Sequence, residues 1–225
     1  MSHIPKLAAA IAAAAVVSAT LLVPSGAAPV VAAEPSCAEC PVGGVGVAGD
    51  YVLRQDGTVW SRGINAAAQV PGLVGVERIA ASAGTGYALV EGRVWAWGDN
   101  RDGELGNGSF GGSTLTPAVV TGLGDVVAIA AGAEARYALR ADGTVWSWGR
   151  NDRAQLGGLA AGRSAKPVRI AGVRGAVEVS AGDASGFAVL ANGTALAWGA
   201  NDEGQLGGAR ISLREAIPLT VPALP

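Results

Sequence analysis

Histidine is almost absent from this chain: the one copy is His3, and the one methionine is Met1. Both lie in an N-terminal segment that is read below as removed. Without histidine, the remaining chain cannot run a Ser-His-Asp or Cys-His triad and cannot build a His-ligated metal site. Cysteine is scarce too, with only Cys37 and Cys40, so a zinc site within one chain lacks ligands and no metal is expected. Charged residues make up only 15% of the chain. Arg outnumbers Lys by 14 to 2, but the formal net charge of −2 provides no basic field for nucleic acid. Aromatic residues are few, and six of them are tryptophan. No Walker or dinucleotide glycine pattern is present, so no nucleotide cofactor is expected. Most familiar hydrolase and metalloenzyme readings end here, and the expectation is a non-enzyme.

The first 33 residues have the form of an address. Lys6 and the free amine precede an uncharged, predominantly apolar run from Leu7 to Val23, broken by Pro24-Ser25-Gly26. Small residues then lead to Val31-Ala32-Ala33. A positive start, an apolar stretch and a small-residue cleavage site predict a secretory signal peptide over 1–33, cut after Ala33. The alternative is an uncut membrane anchor, for which the run is at the short limit. No second long apolar run follows, so no membrane span is expected after cleavage. Counted from Glu34, there are 15 basic and 18 acidic residues. The expected location is secreted or in the cell envelope, where Cys37 and Cys40 of the leader 34–41 meet oxidising conditions. They are candidates for a small structural disulfide, for stapling a neighbour, or for remaining reduced. Pro35 and Pro41 and the glycine-rich stretch beyond do not supply the βαβ context of a thioredoxin-like motif.

What the chain does have in quantity is glycine, 35 of 225 residues, without the every-third period of collagen. It also has a repeat. Four times an aromatic opens a short apolar strand, a polar turn follows, and a tryptophan strand ends in glycine. The copies run Tyr51 to Trp60 and Gly63, Tyr87 to Trp95, Trp97 and Gly98, Tyr137 to Trp146, Trp148 and Gly149, and Phe187 to Trp198 and Gly199. The leading aromatics are 36, 50 and 50 residues apart, and the closing glycines 35, 51 and 50. The units fall at about 42–75, 76–125, 126–176 and 177–222, with a tail at 223–225.

Asp56-Gly57, Asp142-Gly143 and Asn192-Gly193 predict two-residue hairpin turns with positive φ at both positions, and Glu91-Gly92 a weaker version. Short apolar strands precede each hairpin, as in 127–131 and 177–181, and strands near Pro117 and Pro167 follow it. That makes about four short strands per unit, the content of one β-propeller blade. The expected fold is all-β: a propeller-like array of about four antiparallel four-stranded blades, forming an arc rather than a complete ring.

The segment Tyr137-Ala138-Leu139-Arg140-Ala141-Asp142-Gly143-Thr144-Val145-Trp146-Ser147-Trp148-Gly149, followed by Asn151 and Gln155-Leu156-Gly157, resembles the regulator-of-chromosome-condensation repeat. Asn100 with Gly103-Glu104-Leu105-Gly106, and Asn201 with Gly204-Gln205-Leu206-Gly207, extend the match over roughly 42–222. The resemblance implies a propeller of four-stranded blades. It also names two uses, nucleotide exchange on a small GTPase and, in the secreted propeller with similarly abbreviated units, inhibition of β-lactamase. Three features depart from the pattern. Gly86, Arg136 and Gly186 stand where the family usually has histidine, the first unit is about 14 residues short, and there are four units where family rings usually close with seven.

Trp60, Trp95, Trp97, Trp146, Trp148 and Trp198, with Tyr87, Tyr137 and Phe187, are expected to pack between blades rather than to form a sugar platform. Gly63, Gly98, Gly149 and Gly199 are expected at bends or close backbone approaches. The loops after the tryptophan strands carry the candidate partner-binding residues Asn100, Arg101, Asp102, Glu104, Arg150, Asp152, Arg153, Asp202 and Glu203. The first loop is not a calcium loop, because Arg101 stands at a ligand position. Asn107-Gly108-Ser109 and Asn192-Gly193-Thr194 match the glycosylation triplet. The expectation is a secreted, non-catalytic module that binds a protein partner through loops of one propeller face, since loops on a rigid scaffold are where binding resides. The alternatives are a carbohydrate-binding or surface-enzyme propeller and an exchange-factor-like regulator. Self-association is a further expectation, to cover open blade faces.

Overall fold

The computed structural model describes residues 44–62, 67–82, 84–158, 162–207 and 212–221. The leader, Cys37, Cys40, Gly63 and the tail lie outside the described residues. Blade 1 contains β1 (Gly44–Ala48), β2 (Tyr51–Arg54), β3 (Val59–Arg62) and β4 (Ala67–Gln69). Blade 2 contains β5 (Arg78–Ser82), β6 (Thr85–Val90), β7 (Arg93–Asp99) and β8 (Ser113–Val119). Blade 3 contains β9 (Val126–Ala131), β10 (Ala135–Arg140), β11 (Val145–Arg150) and β12 (Arg163–Arg169). Blade 4 contains β13 (Ala176–Ala181), β14 (Ser185–Leu190), β15 (Ala195–Ala200) and β16 (Arg214–Thr220). Each blade is a separate antiparallel meander in which every strand pairs with its sequence neighbour. No helix occurs among the described residues, and the whole is an all-β propeller-like arc.

The blades stack through their inner strands. β1 and β2 lie against β5, β5 to β7 against β9, and β9 and β10 against β13. The core therefore sits between blades, in three seams. Leu53, Val59 and Val70 meet Trp97 in the first, and Tyr87, Leu89 and Val94 meet Trp148 in the second. Tyr137, Leu139 and Val145 meet Trp198 in the third. Trp97, Trp148 and Trp198 are buried, whereas Trp95 and Trp146, two residues earlier and on the same strand face, are half-buried, as is Trp60 in blade 1. In blade 1 the place of the seam tryptophan, two residues after Trp60, is held by Arg62.

Gly98, Gly149 and Gly199 have φ of 104°, 101° and 102°. A Cβ at Gly98 would stand 2.0 Å from the Gly84 carbonyl oxygen, and one at Gly199 2.4 Å from that of Ala184. Both the bend and the close approach exclude other residues. The hairpins correct one expectation. Only Glu91-Gly92 is a two-residue turn with positive φ at both positions, 48° and 70°. In the other three blades the loop has three residues and only the glycine, Gly57, Gly143 or Gly193, is left-handed. There Asp56, Asp142 and Asn192 act through their side chains, which accept the amides of Thr58, Thr144 and Thr194 at 3.0 Å each. Those carboxylate bonds to threonine hold Asp56 and Asp142 below the usual carboxylate range.

Candidate functional site

The loops that follow β7, β11 and β15 emerge at one end of the blades, beside the short turns that join each first strand to the second. Their construction repeats. Asn100, Asn151 and Asn201 are buried, and each side-chain oxygen accepts an amide five residues on, from Leu105, Leu156 and Leu206, at 3.0, 2.9 and 3.2 Å. The carboxylate or amide oxygen of Glu104, Gln155 and Gln205 accepts the amide two residues before it, from Asp102, Arg153 and Glu203. Two side chains thus supply the partners that a turn's own backbone leaves unmet. The leucine they position is buried.

The same loops are fastened to the next blade. The Glu104 carbonyl accepts from Tyr87 Oη at 3.0 Å and from Trp148 Nε1 of blade 3 at 2.7 Å. The Gln155 carbonyl accepts from Tyr137 Oη at 2.8 Å and from Trp198 Nε1 of blade 4 at 2.9 Å. The rings of each pair meet edge to face, with centroids 6.2 and 5.6 Å apart. On the rim, Arg163 Nη1 donates to the Arg101 carbonyl at 2.9 Å, and Arg214 Nη1 to the Asp152 carbonyl at 2.8 Å. In blades 3 and 4 an arginine at the start of the fourth strand thus clasps the preceding blade's loop.

Gly86, Arg136 and Gly186 stand directly opposite Trp97, Trp148 and Trp198 in the ladder. The glycines leave room for the indole, since a Cβ there would come within 2.4 and 2.5 Å of it. Arg136 instead runs across the seam, 2% exposed, and donates Nε to Tyr87 Oη at 2.6 Å and Nη2 to Ser82 Oγ at 2.9 Å. Burial pushes the Tyr87 hydroxyl up to about 12 against the pull of Arg136. It pushes Tyr137 up as well.

The candidate contact residues therefore divide. Arg101, Arg150, Asp152, Arg153, Asp202 and Glu203 are exposed on this face, and Asp102 and Glu104 are half-buried. Asn100 is buried and fully used: its Nδ2 donates to the Ser109 carbonyl at 3.1 Å, so it holds the loop rather than facing a partner. The carboxylates are drawn to arginines. Asp152 pairs with Arg150 at 2.5 Å, Asp202 with Arg153 at 2.9 Å and Asp102 with Arg163 at 3.4 Å. The Gln205 bond, with Arg153 adding to it, lowers Asp202, and Asp152 raises Arg150. A cleft of about 440 Å³ between the loops after β7 and β11 is lined by Arg101, Asp102, Arg150, Asp152, Gly162 and Arg163. One of about 380 Å³ on the next seam is lined by Asp152, Arg153, Asp202, Leu213 and Arg214. Among the described residues no three His, Cys, Asp or Glu side chains are grouped to hold a metal ion, and no helix is long and apolar enough to cross a membrane. Arg163 and Arg214 join the site from outside the loops after the tryptophan strands; their signal in the sequence is an arginine four residues before Pro167 and again before Pro218.

A profile described as Regulator of chromosome condensation (RCC1) repeat matches residues 91–139 and 142–189, and a second of the same description matches 126–155 and 176–205. Among solved structures, the chain is similar to Prp20p from Saccharomyces cerevisiae, described with its binding properties to Gsp1p and histones. The identity is 22% and the TM-score 0.69, over 77% of this chain and 48% of that one. Yeast RCC1 (Prp20) with Kap60 bound to it gives 22% and 0.67, over 77% and 46%. Human WBSCR16 gives 20% and 0.67, over 76% and 49%. The chain spans about half the length of these structures. No curated protein sequence matches it.

Proposed function

The chain belongs to the regulator of chromosome condensation (RCC1) repeat family, and from that premise we propose that it is a secreted, non-catalytic module that holds a protein partner on its loop face. One observation carries the reading: the loops after β7 and β11 are fixed from inside by a buried asparagine and from the side by the next blade's indole and arginine, and the loop after β15 is fixed from inside by Asn201. Such a surface loses little conformational freedom on binding, which is the main cost that weakens loop-mediated association. It presents Arg101, Asp152, Arg153, Asp202 and Glu203 to solvent in mixed charge, suited to a polar protein surface rather than to nucleic acid. The partners named for the yeast relative, Gsp1p, histones and Kap60, are proteins, which agrees in kind. Export rests on the apolar run 7–23 and the small residues before Glu34.

The test uses the full chain expressed with its own N-terminal segment. Mass measurement of the product should give Glu34 as the first residue and place it outside the cytoplasm; an uncut cytoplasmic product overturns the export half. The tagged product is then used to capture proteins from the secreted and envelope fractions. A combined Arg101→Ala, Asp152→Ala, Arg153→Ala and Glu203→Ala variant should keep its Tm and bind the captured protein at least about tenfold more weakly, roughly 1.4 kcal/mol. Undiminished binding overturns the loop-face half.

A further inference from the structure

Charge is spread unevenly over the four units. Counted from Glu34, 8 of the 15 basic residues lie in the third unit, 126–176, with only 3 of the 18 acidic ones. The rest of the chain from Glu34 holds 7 basic and 15 acidic residues. An acidic chain thus carries one basic blade. At the loop-face end of that blade, Arg150 of β11 and Arg163 of β12 stand directly opposite each other in the ladder. Like charges so placed repel. The same place pairs Asp99 with Ser113 in blade 2 and Ala200 with Arg214 in blade 4, so the fold does not require two arginines there.

The carboxylates at hand are too few to neutralise this corner. Asp152 pairs with Arg150 and Asp102 with Arg163. Arg101, on the wall of the same cleft, and Lys166, on β12, make no ion pair among the described residues. All four cations are exposed, and two of them are held in place. The Arg163 guanidinium lies over the Phe110 ring, 4.4 Å from its centroid, while donating to the Arg101 carbonyl. The Lys166 stem rests on Gly108, where a Cβ would stand 2.9 Å from its Cε. Lys166 therefore stands beside the same loop after β7, three residues along β12 from Arg163.

We propose that the cleft between the loops after β7 and β11 anchors an acidic segment of the partner protein, with one aspartate or glutamate side chain entering between Arg101, Arg150 and Arg163 and a second meeting Lys166. This rests on the protein-binding reading and states which chemistry on that face does the holding. A planar carboxylate matches the guanidinium fork, and two incoming carboxylates bring the four cations and two aspartates to balance. The ladder pair that repels in the free chain becomes favourable once an acidic group lies over it. Asp102 and Asp152 in the cleft, and the acidic surplus of the rest of the chain, oppose a polymer with an anionic group on every unit, such as a polyphosphate.

The experiment follows the side-chain N–H signals of the full chain carrying ¹⁵N-labelled arginine, titrated with a hexaglutamate peptide, with hexaglutamine and an inorganic polyphosphate of equal charge run alongside. The Nε signals of Arg101, Arg150 and Arg163 should move saturably with the glutamate peptide, and less so at high salt. The signal of the buried Arg136 should stay in place, and the glutamine peptide should move none. Arg101→Glu combined with Lys166→Glu should weaken the glutamate peptide at least about tenfold. Arg93→Glu, at an exposed arginine of blade 2 outside the cleft, should leave it unchanged. Unmoved arginine signals, an equal loss for Arg93→Glu, or tighter binding of the polyphosphate overturns the proposal. The two readings fail separately: a captured protein that still binds the Arg101→Glu, Lys166→Glu chain in full, yet is lost when Asp152, Arg153 and Glu203 are changed to alanine, upholds the loop face and overturns the acidic anchor.

Discussion

Tyr137 and Trp198 belong to different blades, yet they stand edge to face at 5.6 Å and donate to the same carbonyl oxygen, that of Gln155. The pair joins packing to loop position: the contact that closes the seam also fixes the loop above it. An edge-to-face pair contributes about 0.5–1.5 kcal/mol beyond area burial, and each hydrogen bond a similar amount.

The same substitution should therefore cost different amounts at two seams. Trp148→Phe removes a donor from the Glu104 carbonyl, whereas Trp97→Phe removes an N–H that bonds to nothing. Chemical denaturation should find Trp148→Phe less stable than Trp97→Phe by about 1–2 kcal/mol. Equal losses would mean that the indole bond to the loop contributes nothing.

Gly86→Ala should be far more damaging than its single methyl suggests. The new Cβ would lie 2.4 Å from the Trp97 ring, between two blades that cannot separate without opening the seam. Overpacking of this kind costs on the order of 3 kcal/mol. A thermal melt within a degree or two of the parent would contradict the tight indole seat.

Asn151→Ala removes the buried acceptor of the Leu156 amide. The loss should be about 1–3 kcal/mol, with faster proteolysis confined to the loop after β11. Cleavage sites elsewhere, or none, would show that the asparagine does not hold the loop.

Alkali should weaken the fold through the seam tyrosines. Tyr87 is pushed up to about 12 by burial, whereas in the unfolded chain it titrates near 10. The folded state therefore keeps a proton that the unfolded state releases. Its contribution is whole below pH 10 and is lost as pH rises from there through about 12, up to about 3 kcal/mol in all. Denaturant melts at pH 9 and pH 11 should show the decline, and Tyr87→Phe should flatten it. An unchanged midpoint would contradict the burial of the hydroxyl.

Much of the architecture could be read from the sequence, because two markers, the leading aromatic and the closing glycine, recur at matching intervals. The sharing of one carbonyl by Tyr137 and Trp198 could not, because it depends on how neighbouring blades stack. Asp-Gly suggested a two-residue turn, but the loop has three residues, and in it only glycine needs the left-handed region while aspartate bonds the following threonine. Asn100 looked like a loop-surface residue because asparagine usually is one. Its signal was the fixed interval of five to a leucine, repeated at Asn151 and Asn201, which only a buried and bonded side chain requires.

The amides of Leu105, Leu156 and Leu206 test most directly whether the loop face is held rigid before any partner arrives. Hydrogen exchange on the free protein should show all three protected to the level of the strand amides of β10 and β14. Exchange at the rate of an unstructured peptide would mean that the loops are not fixed by the blades, and the account of a preformed binding face would fall with them.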